Sequence, residues 1–236
     1  MGLTIHYKLK ADVRDADAAR SLVEQLHQGA TDLKPLEIGP VVELPGDRCN
    51  IEQYGTNDDR RYLLLHACQY FIRDQRIYSV PPVHLIAFTM NPGMGSEWAS
   101  FGLCRFPSEA DKDMTGAERP IQTELDGWRW ASFCKTQYAS NPQYGGIEHF
   151  VKCHRRVLGV LDAARALGIL ESVDDEGEYW TDRDEQALRE KVKRWNVSIA
   201  GFVGRIKDGN ATRAVDAPIC EYPNYEHLEA KDSGDD

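Results

Sequence analysis

A histidine and a cysteine lie four residues apart in the segment His149-Phe-Val-Lys-Cys153-His154. If the segment is helical, His149 and Cys153 share a face and could form a thiol–imidazole pair or bind one metal ion. His154 would point about 140° away from His149, near the middle of the buried face. A border histidine, a small buried thiol and a core histidine would explain the same pattern by packing alone. We favour packing and keep His149, Cys153 and His154 as candidate catalytic residues.

A second histidine and cysteine, His66 and Cys68, are two residues apart. On a strand both side chains would face the same side, whereas on a helix they would diverge. A metal site would need further ligands, such as His6 or His84, and nothing in the spacing identifies them. The sequence therefore predicts no metal site and no cofactor.

Two segments of similar sequence, 98–105 (WASFGLCR) and 130–135 (WASFCK), each end in a cysteine followed by a cation. Both alternate aromatic or apolar residues with small ones, which predicts two strands near the centre of a sheet. A nearby cation lowers the pKa of a thiol, but adjacent strand residues point to opposite faces. We therefore expect Cys104 and Cys134 in the core and the two cations facing solvent.

No familiar catalytic or nucleotide-binding motif occurs in the chain. The segment 91–97 (NPGMGSE) could cradle an anion with its backbone N–H groups. It lacks the lysine of a P-loop and the glycine spacing of a dinucleotide-binding turn, so we expect a hairpin connection. The absence of a motif argues only weakly against catalysis, because active sites assemble from residues far apart in sequence.

The elements that would position these residues begin with a strand, because apolar and polar residues alternate over 3–9. A helix follows to about residue 30, capped by Asp15 or Asp17. Residues 61–72 fit a strand or a short helix, and we favour the strand because a polar turn follows. Further apolar runs predict strands at 38–44, 77–80, 83–90, 98–105 and 130–135.

Beyond residue 146 the sequence changes to helical periodicity. An apolar stripe predicts a helix over 147–167, followed by Gly168 at the position after its C-cap. A second long helix is predicted over 181–207, with apolar segments around the turn at 174–177 forming a β-hairpin before it. The sequence therefore predicts an α+β fold: a mainly antiparallel sheet with an N-terminal strand–helix unit and two long C-terminal helices joined by a β-hairpin.

No long linker interrupts the 236 residues. We expect one globular α+β domain over 1–228, sheet-rich to about residue 137 and helical from about 146 to 208. Residues 229–236 are acidic and are predicted to be disordered. Residues 187–213 hold seven Lys or Arg against two acids (+5), and 214–236 hold seven acids against one lysine (−6). The acidic tail could fold over the basic last helix, as an intramolecular clamp or as a competitor of an acidic partner, or both could be solvated separately.

Composition favours a soluble cytoplasmic protein. No apolar run approaches the ~20 residues that span a bilayer, and no signal peptide is recognisable. The six cysteines form no C-x-x-C pair, which indicates reduced thiols. The net charge of −10 disfavours membrane surfaces and nucleic acid.

Tyrosines in polar loop or tail contexts are typical of adaptable contact surfaces, although packing of the loops onto the sheet would explain them equally well; they are Tyr138, Tyr144, Tyr222 and Tyr225. Together with the lack of a catalytic signature, they favour a non-catalytic binding or protein-interaction domain with an unidentified protein or small-molecule partner. The alternative is an enzyme with a dispersed His/Cys-based site. A third hypothesis is a nucleic-acid binder acting through the basic last helix, which the net charge disfavours.

Overall fold

The structure is a computed structural model that describes residues 3–73, 76–110, 120–209 and 217–233. Within these ranges the helices are α1 (Ala16–Asp32), α2 (Asp59–Ala67), α3 (Gly146–Ala166), α4 (Tyr179–Asp182), α5 (Glu185–Gly209) and α6 (Tyr225–Ser233). The strands are β1 (Thr4–Ala11), β2 (Glu37–Ile38), β3 (Val42–Pro45), β4 (Gln69–Arg73), β5 (Arg76–Val80), β6 (His84–Asn91), β7 (Ala99–Arg105), β8 (Glu109–Ala110), β9 (Ile121–Gln122), β10 (Trp128–Lys135) and β11 (Leu170–Asp175). Among the described residues no helix is long and apolar enough to cross a membrane.

The main sheet has the strand order β11-β1-β10-β7-β6-β2, and β3 also pairs with β6. Every pairing in it is antiparallel. Two further antiparallel pairs, β4–β5 and β8–β9, stand outside the sheet. The α+β class and the mainly antiparallel sheet are therefore confirmed.

Strand β1 lies between β10 and β11, so both of its edges are paired. Ile5, Tyr7 and Leu9 are buried, whereas His6 and Lys8 are exposed. This alternation follows from the period of two along a strand with one covered face. The exposed residues of β1 consequently lie on an open face of the sheet.

The two near-repeats form neighbouring strands, β7 and β10, which pair at Cys104 and Arg129. Cys104 and Cys134 are fully buried, and burial raises the pKa of both thiols well above its usual value. Arg105 is exposed and Lys135 is partly exposed. The expectation of core cysteines beside outward cations is therefore confirmed.

The predicted helix ends are present at α1 and α3. The Asp15 carboxylate accepts a hydrogen bond from Ala18 N at 2.8 Å and caps α1. Gly168 follows the C-cap residue of α3 with φ +72°, a conformation that favours glycine. Buried residues recur three and four apart along both helices, which pack against each other.

The preference for a strand over residues 61–72 is wrong for its first part. Residues up to Ala67 belong to α2, and only those from Gln69 onward form β4. Asp58 caps α2 by accepting from Arg60 N at 2.8 Å. The apolar run is a helix because its cap and its buried residues at 63, 64 and 67 follow helical spacing.

The predicted hairpin between the two long helices is also wrong. Its first arm is β11, which pairs with β1, and its second arm begins the short helix α4. The Asp175 carboxylate accepts hydrogen bonds from Gly177 N at 2.8 Å and from Trp180 N at 2.9 Å. These two bonds hold residues 175–180 in a turn that leads into α4. Helix α5 then begins at Glu185 and not at 181, because the Asp184 carboxylate caps it.

The predicted disorder from residue 229 differs from the structure, because α6 extends to Ser233. Residues 234–236 lie outside the described residues. Helix α6 packs along α5, so the basic helix and the acidic segment are in contact. The expectation of a single domain over 1–228 stays a prediction.

Candidate functional site

His149 and Cys153 share one face of α3, and His149 Nε2 lies 3.4 Å from Cys153 Sγ. The same nitrogen lies 3.0 Å from the carbonyl oxygen of Met94. A carbonyl only accepts, so Nε2 carries the hydrogen and is not free to take the thiol proton. This geometry does not favour a thiol–imidazole nucleophile.

The Cys153 thiol is enclosed as well. A Cβ added at Gly93 would overlap its sulfur, so the loop backbone closes directly over the thiol. Burial raises the pKa of Cys153 above its usual value, which favours the unreactive thiol form. The arrangement suits packing between α3 and the β6–β7 connection.

His154 is separated from that pair and fully buried in a second cluster. Its Nδ1 lies 2.8 Å from Thr136 Oγ1, and its Nε2 lies 3.1 Å from Asp175 Oδ1, although the latter contact is poorly aligned for a hydrogen bond. Hydroxyl, imidazole and carboxylate are thus in the order of a catalytic relay. The His154 and Asp175 side chains are only 0% and 1% exposed, so a substrate cannot reach them. We interpret the cluster as a lock between α3 and β11.

Thiol accessibility provides a direct check of these placements. Four of the six free cysteines are buried, and Cys68 and Cys220 are partly exposed. In native protein treated with Ellman's reagent, we expect Cys220 to react within minutes, Cys68 to react more slowly because burial raises its pKa, and the four buried cysteines to react only after denaturation. Rapid labelling of Cys153, identified by peptide mass spectrometry, would restore the enzyme hypothesis.

An open cleft of about 730 Å³ lies elsewhere, where α2 and β4 approach β1, β10 and β11. Three large side chains on its walls are exposed to an unusual degree: Tyr70 is 63% exposed, Leu65 50% and Phe133 41%. His6 and Lys8 of β1 form part of its floor. The cleft therefore combines apolar walls with a polar floor.

Aromatic and imidazole rings form a row that begins in this cleft and ends at Tyr62 of α2. The Phe133 ring centroid lies 5.8 Å from that of His6 and 6.0 Å from that of His66. The Tyr62 ring follows at 4.2 Å from His66. Burial lowers the pKa of His66, which favours the neutral ring at neutral pH. The row offers flat surfaces for apolar groups.

A second cleft of about 680 Å³ adjoins the first and shares Leu65, Cys68 and Tyr70 with it. Exposed Val83 lines this second cleft. Of the seven large apolar side chains that are exposed among the described residues, four line these two clefts. These four side chains therefore form one apolar patch. We call the two adjoining clefts that they line the paired cleft.

His66 and Cys68 meet in the paired cleft, although α2 ends between them and they are not alternate residues of a strand. Within the described ranges no three His, Cys, Asp or Glu residues are placed to hold a metal ion. Burial raises the pKa of Cys68, which keeps this thiol protonated at neutral pH. The pair contributes shape and polarity to the cleft instead of a nucleophile.

Sequence reasoning missed the paired cleft. Leu65 and Tyr70 belong to apolar runs that are typical of a core, and no local signal shows which residues the fold leaves uncovered. Of the four tyrosines predicted to form a contact surface, Tyr222 is buried, with only 4% of its surface exposed. Helical spacing over 59–67 places Leu63, Leu64 and Ala67 on one face and Leu65 off that face. Recognition of this helix is therefore the signal that could have predicted an exposed Leu65.

The basic last helix is largely paired with acids. Arg189 contacts Glu148 and Glu185 at 2.8 and 3.1 Å, and Lys193 contacts Glu190 at 2.8 Å. These pairs neutralise cations that a nucleic acid would need. The geometry does not favour the nucleic-acid hypothesis.

No family model matches this chain, and no curated protein or solved structure is similar to it. Inferences about its function therefore depend on the geometry of the chain itself.

Proposed function

We propose that the protein is a non-catalytic interaction domain that binds a segment of a partner protein in the paired cleft. The observation that carries the proposal is the gathering of exposed Leu65, Tyr70 and Phe133 around one open groove. Exposed apolar patches with a polar rim mark interaction sites in soluble proteins. Aromatic side chains in such patches dominate binding energy.

The chemistry of the groove indicates the kind of segment that would bind. Apolar or aromatic side chains of the partner would pack against Tyr70 and Phe133. Cross-strand neighbours provide polar contacts beside them, since Lys8 pairs with Ser172 and His6 with Asp174. An extended segment that alternates apolar and polar residues matches this surface.

Site-specific photo-crosslinking in cells tests the proposal, because it captures a partner whose identity need not be specified. Benzoylphenylalanine is placed at Tyr70, or at Leu36 after α1 as a control that is also exposed and lies outside the cleft. We expect a discrete crosslinked product from position 70 and none from position 36. Once the captured partner is identified, Tyr70→Ala should weaken binding by about 2 kcal/mol, a factor of about 30. Equal products at both positions, or unchanged affinity of Tyr70→Ala, would contradict the proposal.

A further inference from the structure

Helix α6 is held on α5 by polar contacts and by Tyr225 and Leu228, which are partly buried against the apolar cluster around Val203. Arg205 Nη1 lies 2.5 Å from Asp232 Oδ2, and the Arg205 side chain is 65% exposed. Lys207 Nζ lies 4.4 Å from the centre of the Tyr225 ring. Exposed ion pairs contribute little to stability because water and salt screen them. Because no residue of α6 from Tyr225 to Asp232 is fully buried, these contacts specify a position for α6 without fixing it strongly.

Two glycines of α5 let α6 approach closely. A Cβ at Gly201 would overlap both the Cβ and the carboxylate of Asp232. A Cβ at Gly204 would overlap only the end of the Glu229 side chain, which can move. The surface of α5 is therefore shaped for another helix, with Gly201 at the tightest point.

The residues that precede α6 are anchored separately. Ile219 is fully buried and Tyr222 is 4% exposed. The Tyr222 hydroxyl lies 2.9 Å from Ser140 Oγ, which also accepts from Asn196 Nδ2 at 2.9 Å. The side-chain partners of this buried network all lie outside α6, so moving α6 away breaks none of these hydrogen bonds.

We propose that α6 is an internal occupant of a helix-binding surface on α5, and that an acidic helix of a partner protein displaces it. If α6 moves away from α5, residues 218–222 stay in place, and Gly201, Arg205 and Lys207 become accessible. The cations select an acidic partner, and the glycines select a helix, whose backbone can approach them as α6 does. A nucleic acid would not make the glycine contact. This surface is distinct from the paired cleft, and the proposal does not depend on it.

The test uses the full-length chain and a fluorescein-labelled synthetic peptide with the sequence of residues 223–233. Asp232→Lys should open α6 because the new positive charge faces Arg205, while the surface on α5 stays intact. We expect the peptide to bind Asp232→Lys at least about tenfold more tightly than wild type, since α6 no longer competes. The matched control is Glu226→Lys, the same charge change at an exposed residue of α6, which should behave as wild type.

A second variant identifies the surface to which the peptide binds. Adding Gly201→Ala to Asp232→Lys should abolish the gain, whereas adding Ser198→Ala, an exposed residue of the same helix, should preserve it. Hydrogen exchange should be faster in α6 of Asp232→Lys and unchanged at 218–222, which verifies that the anchor stays folded. Equal peptide affinity for wild type and Asp232→Lys would overturn the proposal. Displacement of the peptide by an equal charge concentration of duplex DNA would also overturn it.

Discussion

Replacing Asp175 with alanine is expected to lower the free energy of unfolding by about 3–5 kcal/mol, the cost of breaking a buried charged contact by removing one partner. The carboxylate accepts from Gly177 N and Trp180 N and lies 3.1 Å from His154 Nε2. Gly177 N and Trp180 N lose their hydrogen-bond acceptor, and His154 Nε2 loses its charged neighbour, in a site largely closed to water. Urea unfolding followed by tryptophan fluorescence and circular dichroism measures the effect.

The neighbouring acid provides the control. Asp174 is exposed on β11, and Asp174→Ala should change the unfolding free energy by no more than about 0.5 kcal/mol. If the two variants unfold at the same urea concentration, the lock between α3 and β11 does not stabilise the fold.

The same carboxylate should make stability depend on pH. Burial alone would raise the pKa of Asp175, but the His154 imidazole and the N–H groups of Trp180 and Gly177 hold this pKa below its usual value of 3.8. A pKa lowered by folding stabilises the protein fully above the unfolded pKa, and the contribution is lost as pH falls through the folded pKa. The stability difference between wild type and Asp175→Asn should therefore shrink only below pH 3.8.

Gly102→Ala is expected to destabilise the protein by about 3 kcal/mol, at the upper end of overpacking effects. Gly102 lies in β7 opposite Ala87 of β6. A Cβ there would lie 2.4 Å from Ala87 Cβ and 2.5 Å from the carbonyl oxygen of Ile86. Because backbone atoms of a central strand cannot move aside, the sheet itself must distort.

Gly55→Ala is the matched control for this substitution, because nothing lies within 4 Å of a Cβ at Gly55. We expect its thermal unfolding midpoint to equal or slightly exceed that of wild type. A Gly102→Ala variant with the thermal unfolding midpoint of wild type would show that β6 and β7 have room for a Cβ at this position.

Elements whose signals are local could be predicted from the sequence. The alternation over β1, the Asp15 cap and the stripe of α3 each involve residues within a few positions of one another, and each is present in the structure. The spacing of His149 and His154 also correctly predicted that their side chains point in different directions, because helical geometry alone sets the angle between them.

Features that depend on distant partners could not be predicted. Strand β11 pairs with β1 and not with the residues that follow β11 in the chain. Once β10 has paired with β1, the other edge of β1 remains for β11, and no local pattern in the sequence reveals this edge. The meeting of Thr136, His154 and Asp175 requires three separate elements to be placed first. The paired cleft is likewise defined by what the fold leaves uncovered.

The pairing of β1 with two strands from late in the sequence has a consequence for protein synthesis. The ribosome delivers β1 first, yet its two neighbours in the sheet are β10 and β11, with Ile5 pairing to Cys134 and Asp175. At ordinary translation rates the nascent strand waits roughly 10–30 s for these partners. During that interval its apolar face has no sheet to join. We expect ribosome-associated chaperones to bind this apolar face, and slower translation before residue 170 to prolong their binding.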